Sequence, residues 1–246
     1  MECLIFDLDD TLYPLSSGIS AACSKNIIDF MVQRLGIPAH EALQLSLTLY
    51  KNHGTTMAGL VALGYAFNFD EYHQFVHGPL PYHALHHEPV LRDLLLSLPH
   101  RKLVFTNADR AHACQVLSRL GIEDCFETVI CFETLNSNAT TRIVCKPSLE
   151  AFEHAIRIMG VDVSKSLFFD DSRRNIEGAK LAGLRGVVVG SSVPGVACIE
   201  SVHALKEALP VLWQEEDEVD AADVTPQISE SDTLPVPAET VSVAAS

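Results

Sequence analysis

Two pairs of acids stand where two apolar runs end. Residues 3–6 (Cys-Leu-Ile-Phe) lead into Asp7-Leu8-Asp9-Asp10-Thr11, and Leu167-Phe168-Phe169 leads into Asp170-Asp171-Ser172. Alternate residues of an extended chain share a face, so Asp7 and Asp9 project the same way, roughly 6 to 7 Å apart. Asp10 points elsewhere and suits a cap on the following turn. Unit charges about 4 Å apart cost on the order of 4 kcal/mol at an effective dielectric near 20, so acids gathered at one edge call for a cation. Hard oxygen donors with few imidazoles nearby favour Mg²⁺ over zinc. Thr106-Asn107 closes another apolar run with a hydroxyl and an amide, and Lys146-Pro147 places an ammonium just before a helical pattern. Together with free backbone N–H groups, these are the donors that hold a phosphoryl group.

Positioning such residues requires strands that end at a common edge. The runs 3–6, 102–106, 167–170 and 186–189 read as buried parallel strands, with 128–131 a weaker fifth. Helical patterns over 111–120, 149–159 and 174–182 lie between them, followed by Gly121, Gly160 and Gly183, where a helix C-terminus favours a left-handed residue. Strands alternating with ten-residue helices predict an α/β fold with a doubly wound, parallel, Rossmann-like sheet. The interval 17–95 differs, with helical patterns over 19–35, 39–52, 56–63, 70–76 and 89–96 and no strand pattern. Most of it is too long for a crossover helix. It predicts a helical cap emerging over the C-terminal end of the first strand, where open α/β sheets bind ligands and a lid can act. The expected organisation is a core of residues 1–15 and 90–213, a cap of 16–89, and a disordered acidic tail of 214–246.

That tail holds nine acids and no Lys or Arg, so it accounts for nine of the formal charges in a net −15 and leaves −6 for residues 1–213. With no basic stripe, a nucleic-acid polymer is not an expected partner. No apolar stretch approaches the roughly 18 to 20 residues that span a bilayer, and acids interrupt the N-terminal run too early for a targeting peptide. No membrane partner is therefore expected, and a cytoplasmic location is, with nuclear access left open. The seven cysteines form no C-x-x-C pair and read as reduced, largely as small core hydrophobes. The sequence contains no internal repeat and leaves the oligomeric state open.

In order along the chain, DLDDTL (7–12), Thr106-Asn107, Lys146-Pro147 and FFDDS (168–172) resemble the four motifs of the haloacid-dehalogenase-like hydrolases over residues 3 to about 190. Within that superfamily, YKNHGTTMAGL (50–60), FVHGPLP (75–81), FTNAD (105–109) and CFET (131–134) are similar to the pyrimidine 5′-nucleotidase-like branch, which carries a helical cap. The resemblance implies a phosphomonoester hydrolase acting on a small phosphorylated metabolite, a nucleoside 5′-monophosphate by preference. It implies that Asp7 attacks phosphorus to give an aspartyl-phosphate, that Asp9 is the general acid and base, and that Lys146 completes the catalytic set. Thr106, Asn107 and Lys146 would bind the phosphoryl oxygens. Mg²⁺ would be held by the Asp7 carboxylate, the Asp9 carbonyl and Asp171, with Asp170 as a second or water-mediated ligand. Asn175 departs from the pattern, since many relatives carry an acid there. His53, Thr55 and Thr56 are candidate substrate contacts, because this cap loop faces the active site in the family.

Taken singly these residues say less. Asp-Asp-Thr after a strand also serves as a turn or helix cap, Asp-Ser before a helix as an N-cap, and a lone Lys as surface charge. Their joint order decides. His83, His86 and His87 have spacings that can converge on a helix, yet Pro79, Pro81 and Pro89 make this stretch a hinge-like linker rather than a zinc site. Arg142, Arg173 and Arg174 read as surface charges, one of which could meet substrate. Two competing functions remain: a phosphomutase or other phosphotransferase using the same nucleophile, and a non-catalytic scaffold on the same fold. A dehalogenase would need neither Asp9 nor the acidic metal site.

Overall fold

A computed structural model describes residues 1–139, 141–192 and 195–214. The chain begins with strand β1 (Cys3–Phe6) and then runs through α1 (Ile19–Gln33), α2 (Ala39–His53), α3 (Thr56–Ala62), α4 (Phe69–Val76) and α5 (Pro89–Ser97). It returns to the sheet as β2 (Arg101–Phe105), α6 (Arg110–Leu120), β3 (Thr128–Ile130), α7 (Phe132–Asn136) and α8 (Leu149–Met159). The last elements are β4 (Ser166–Asp170), α9 (Arg173–Leu181), β5 (Arg185–Val189), β6 (Cys198–Ile199) and α10 (Leu205–Ala208).

The strands form one sheet in the order β3-β2-β1-β4-β5-β6, with every pair parallel. From β1 the chain winds outward through β2 to β3, then crosses to β4 and winds the other way. The reversal therefore falls between β1 and β4, and a crevice opens beyond the carboxyl ends of those two strands. Phe6 is in register with Phe169, so Asp7 and Asp170 leave the sheet side by side.

Parallel strands read as unbroken apolar runs because helices cover both faces of the sheet. Leu4, Phe6, Val104 and Phe169 pack on one face with Leu91 and Leu95 of α5 and Val116 and Leu120 of α6. Cys3, Ile5, Phe105 and Phe168 pack on the other with Phe152 and Ala155 of α8 and Ile176 of α9. Phe6 stacks on Phe169 with ring centroids 4.8 Å apart, which joins the two strands just below the crevice. Helices α1 to α4 bury an aromatic cluster of their own, with Phe30 edge-on to Phe67, Tyr72 and Phe75 at 4.9 to 5.5 Å.

The sequence did not signal the two-residue β6 or the short helices α7 and α10, which are too brief for a periodic pattern. The tail reading falls on residues 215–246, outside the described residues. Among the described residues no helix is long and apolar enough to cross a membrane. All seven cysteines are free, and Cys114 is exposed rather than in the core.

Gly178 of α9 sits where a Cβ would collide with the Pro147 carbonyl and come 2.9 Å from the Phe152 ring. Gly178→Ala is therefore expected to cost about 1–3 kcal/mol by overpacking, measured as a lower urea midpoint at unchanged m-value. A loss below about 0.5 kcal/mol, the ordinary scatter of surface substitutions, would show that the loop yields freely.

Candidate active site

Lys146 is the centre of the crevice. Its Nζ donates to Asp7 Oδ1 at 2.6 Å, Asp170 Oδ2 at 2.8 Å and the Phe105 carbonyl at 2.8 Å, so all three ammonium protons are engaged. The side chain is 1% exposed and runs between Phe105 and Phe168, whose ring centroids lie 5.2 and 5.3 Å from Nζ. Burial opposes the charge, but Asp170 and Asp7 hold its pKa above the usual lysine value.

The acids around it are fixed from several sides. Asp7 N–H donates to the Phe169 carbonyl at 2.8 Å, and Asp7 Oδ2 accepts from Thr11 at 3.3 Å. Asp170 is fully buried and accepts from the Ser172 N–H at 2.8 Å and from the Asn175 amide at 3.0 Å on both oxygens. Asn175, where the resemblance leads one to expect an acid, thus orients a carboxylate instead of adding one. Oxygens of Asp7, Asp170 and Asp171 lie within 4.8 Å of one another. Burial pushes the Asp7 and Asp171 carboxyls up, and Asp170 adds to the rise in both. One ammonium does not balance this gathering of acids. A small divalent cation would, and the donor set is all hard oxygen, so the residues fit Mg²⁺.

Thr106 follows β2, and its hydroxyl accepts from the Ala108 N–H at 3.0 Å. Asn107, expected on phosphoryl oxygens, uses its amide on main chain: Nδ2 donates to the Lys146 carbonyl at 3.2 Å, and Oδ1 accepts from the Lys146 N–H at 2.8 Å. It therefore holds the lysine segment in place. A narrow cleft is lined by Asp7, Asp9, Thr106, Asn107, Lys146 and Asp171, and from the helical segment by Tyr50 and Gly54. Of the three candidate contacts in that segment, His53 is exposed. Thr55 caps α3 by accepting from the Ala58 N–H at 3.0 Å, and Thr56 pairs with Ser46 at 3.0 Å. These two hydroxyls serve the segment itself. Tyr50 opens the YKNHGTTMAGL motif but is not among the expected substrate contacts.

Gly54 has φ +91°, and a Cβ there would collide with the Lys146 carbonyl. Cys145 Sγ lies 3.3 Å from the His53 carbonyl beside it. Arg174 adds a second tie, donating to the Tyr50 carbonyl at 3.1 Å and the Lys51 carbonyl at 2.7 Å with its guanidinium 5.0 Å from the Tyr50 ring. It satisfies carbonyls at the end of α2, a favourable place for a cation. Arg142 pairs with Glu150, and Arg173 with Glu177 at 3.1 Å.

Asp10 adopts φ +58°, a conformation an aspartate tolerates better than most side chains. The sequence suggests a turn cap there; Asp10 Oδ2 instead accepts from Ser20 of α1 at 2.6 Å. Asp9 Oδ1 accepts from the Tyr13 hydroxyl and lies 2.7 Å from His112 Nε2. Burial raises the Asp9 carboxyl, but His112 and Tyr13 together hold it below its ordinary value. His83, His86 and His87 are exposed.

A family model for haloacid dehalogenase-like hydrolases matches residues 1–183. Over 192 residues the chain is 28% identical to Phosphate metabolism protein 8 of Saccharomyces cerevisiae, which covers 74% of this chain and 60% of that protein. This chain thus spans about 60% of the length of that relative. It is 24% identical over 233 residues to a glyceraldehyde 3-phosphate phosphatase of Methanothermobacter thermautotrophicus, covering 85% of this chain and 100% of the other. Among solved structures, CbbY from Rhodobacter sphaeroides in complex with phosphate superposes with a TM-score of 0.58 at 17% identity, covering 83% of this chain and 96% of that one. This last likeness is one of fold.

Lys146→Met keeps the length of the side chain and removes its charge, leaving two buried acids without their partner. The expected loss is about 3–5 kcal/mol of stability at neutral pH, read by urea unfolding. The double variant Lys146→Met/Asp170→Asn should recover part of it; additive losses would show that the three groups do not act together.

Proposed function

The chain belongs to the haloacid dehalogenase-like hydrolases, and we propose that within this family it is a Mg²⁺-dependent phosphatase of small phosphomonoesters, with a nucleoside 5′-monophosphate, pyrimidine above all, as the favoured substrate class. The observation that carries the reading is the placement of Asp7: one oxygen is held 2.6 Å from the Lys146 ammonium, within a cluster of three acids at the carboxyl edge of the sheet.

Asp7 is the nucleophile. Its carboxylate forms a bond to phosphorus as the ester P–O bond breaks, and Asp9, ionised at rest and taking up a proton as the anionic substrate binds, gives that proton to the leaving oxygen. Asp9 then takes a proton from water, which attacks the aspartyl-phosphate, and inorganic phosphate leaves with Asp7 regenerated. Lys146 offsets negative charge gathering at Asp7, while Thr106 and the nearby backbone N–H groups are the donors at hand for phosphoryl oxygens. Asn107 contributes by fixing Lys146. The carboxylates of Asp7, Asp170 and Asp171 and the Asp9 carbonyl would hold the Mg²⁺, which when bound neutralises charge on the phosphoryl group. Tyr50 and Gly54 close the cleft from above and bound the leaving group.

Support for a phosphomonoester comes from this donor set and from relatives named as phosphatases, among them the archaeal glyceraldehyde 3-phosphate phosphatase. Support for a nucleotide comes from the motifs YKNHGTTMAGL, FTNAD and CFET.

Asp7→Asn, near-isosteric, should fold normally and lower phosphate release by at least about a thousandfold, as loss of a covalent nucleophile does. Removing divalent ions with EDTA should abolish turnover, and Mg²⁺ should restore it and raise the melting temperature of the resting protein. A panel of nucleoside, sugar and glycerol phosphates, assayed for free phosphate, tests the substrate class. Preference for a non-nucleotide would refute the nucleotide assignment, and label passed to a sugar hydroxyl without free phosphate would replace hydrolysis by transfer.

A further inference from the structure

Behind Asp9 lies a chain of polar groups that the reaction described above does not use. His112 of α6 is 1% exposed; its Nε2 is 2.7 Å from Asp9 Oδ1, and its Nδ1 is 2.8 Å from the Tyr82 hydroxyl. Tyr82 belongs to segment 77–88, which connects α4 to α5. A carboxylate only accepts, so Nε2 carries the proton of that contact; Nδ1 accepts from Tyr82 O–H when the ring is neutral and donates to the Tyr82 oxygen when it is charged. His77 packs against the ring with centroids 4.6 Å apart and planes inclined by 33°, and His77 Nδ1 itself pairs with Asp109.

The consequence for Asp9 is an asymmetry. Oδ1 receives both the Tyr13 hydroxyl and His112, whereas Oδ2 is buried without a hydrogen-bond partner among the described residues, and Asp9 lines the cleft. We propose that His112 is a positioning residue for the general acid/base: backed by Tyr82, it fixes Asp9 through Oδ1 and leaves Oδ2 as the oxygen that exchanges protons with leaving group and water. This rests on the assignment of Asp9 as acid/base. Such an arrangement supplies orientation more than stability, because desolvating both members of a buried pair offsets most of their attraction. An acid/base displaced by about 1 Å loses on the order of a hundredfold in rate.

The test compares kcat/KM for an alkyl phosphate, whose leaving oxygen needs a proton, with that for 4-nitrophenyl phosphate, whose leaving group does not. His112→Leu should lower the alkyl value about a hundredfold and at least tenfold more than the 4-nitrophenyl value, with KM nearly unchanged. His112→Gln, which retains an N–H donor at the same reach, should recover most of the loss. Tyr82→Phe should shift the ratio the same way by a smaller factor, and it keeps the test open if the leucine variant does not fold. Equal losses on both substrates, or no rescue by glutamine, would reduce His112 to a structural residue. Asp9→Asn is run alongside. If it shows the selective loss and neither His112→Leu nor Tyr82→Phe does, the positioning role fails and the acid assignment stands. If Asp9→Asn itself shows no selectivity, both fall.

Discussion

A single buried ammonium, shared by two carboxylates from different strands, is the constraint on which the site depends. Lys146 contacts Asp7 at the end of β1, Asp170 at the end of β4 and the last carbonyl of β2. Three strand ends are thereby pinned to one point. The charge is tolerable in the interior because every N–H finds an acceptor and two aromatic rings flank the nitrogen. The sheet supplies what the lysine cannot: a parallel register that sets Phe6 beside Phe169, so the acids that follow emerge together. Around this point the remaining polar groups act as orienters. Asn107 holds the Lys146 main chain, Asn175 and Ser172 hold Asp170, and Thr11 links Asp7 to the Asp171 N–H.

Among the contacts by which the segment between β1 and β2 meets this machinery, three differ in chemistry. Gly54 touches the Lys146 carbonyl, Arg174 gathers the carbonyls at the end of α2, and the His77–Asp109 and Tyr82–His112 contacts bind the return segment to α6. Two of the three rest on main-chain atoms, so they constrain the position of the segment that carries Tyr50, whose ring lies under the Arg174 guanidinium.

The sequence made the sheet legible because burial on both faces leaves strands as uninterrupted apolar runs, and the glycines after α6 and α8 adopt left-handed conformations. The acids and Lys146 were legible because their types and order are unusual for solvated loops. Other parts were hidden for physical reasons. Asn107 looks like a phosphoryl donor in sequence and Asn175 like a missing acid, and only coordinates reveal that their amides are engaged with Lys146 and Asp170. His112 sits on a helix face with no metal-like spacing, and its partner Asp9 is 103 positions away. Thr55 and Thr56 follow a glycine as substrate contacts might, but an N-cap and a pair with Ser46 account for both hydroxyls.

Gly54 is a spacer. With hydrogen as its side chain, it lets the loop after α2 rest directly on the backbone that carries the lysine. Any bulkier residue would act as a wedge, since its Cβ would collide with the Lys146 carbonyl and meet Cys145 Sγ at 3.0 Å, and the two backbones would have to part. How closely the loop after α2 approaches the lysine-bearing backbone is thus set by the smallest residue in the wall of the cleft.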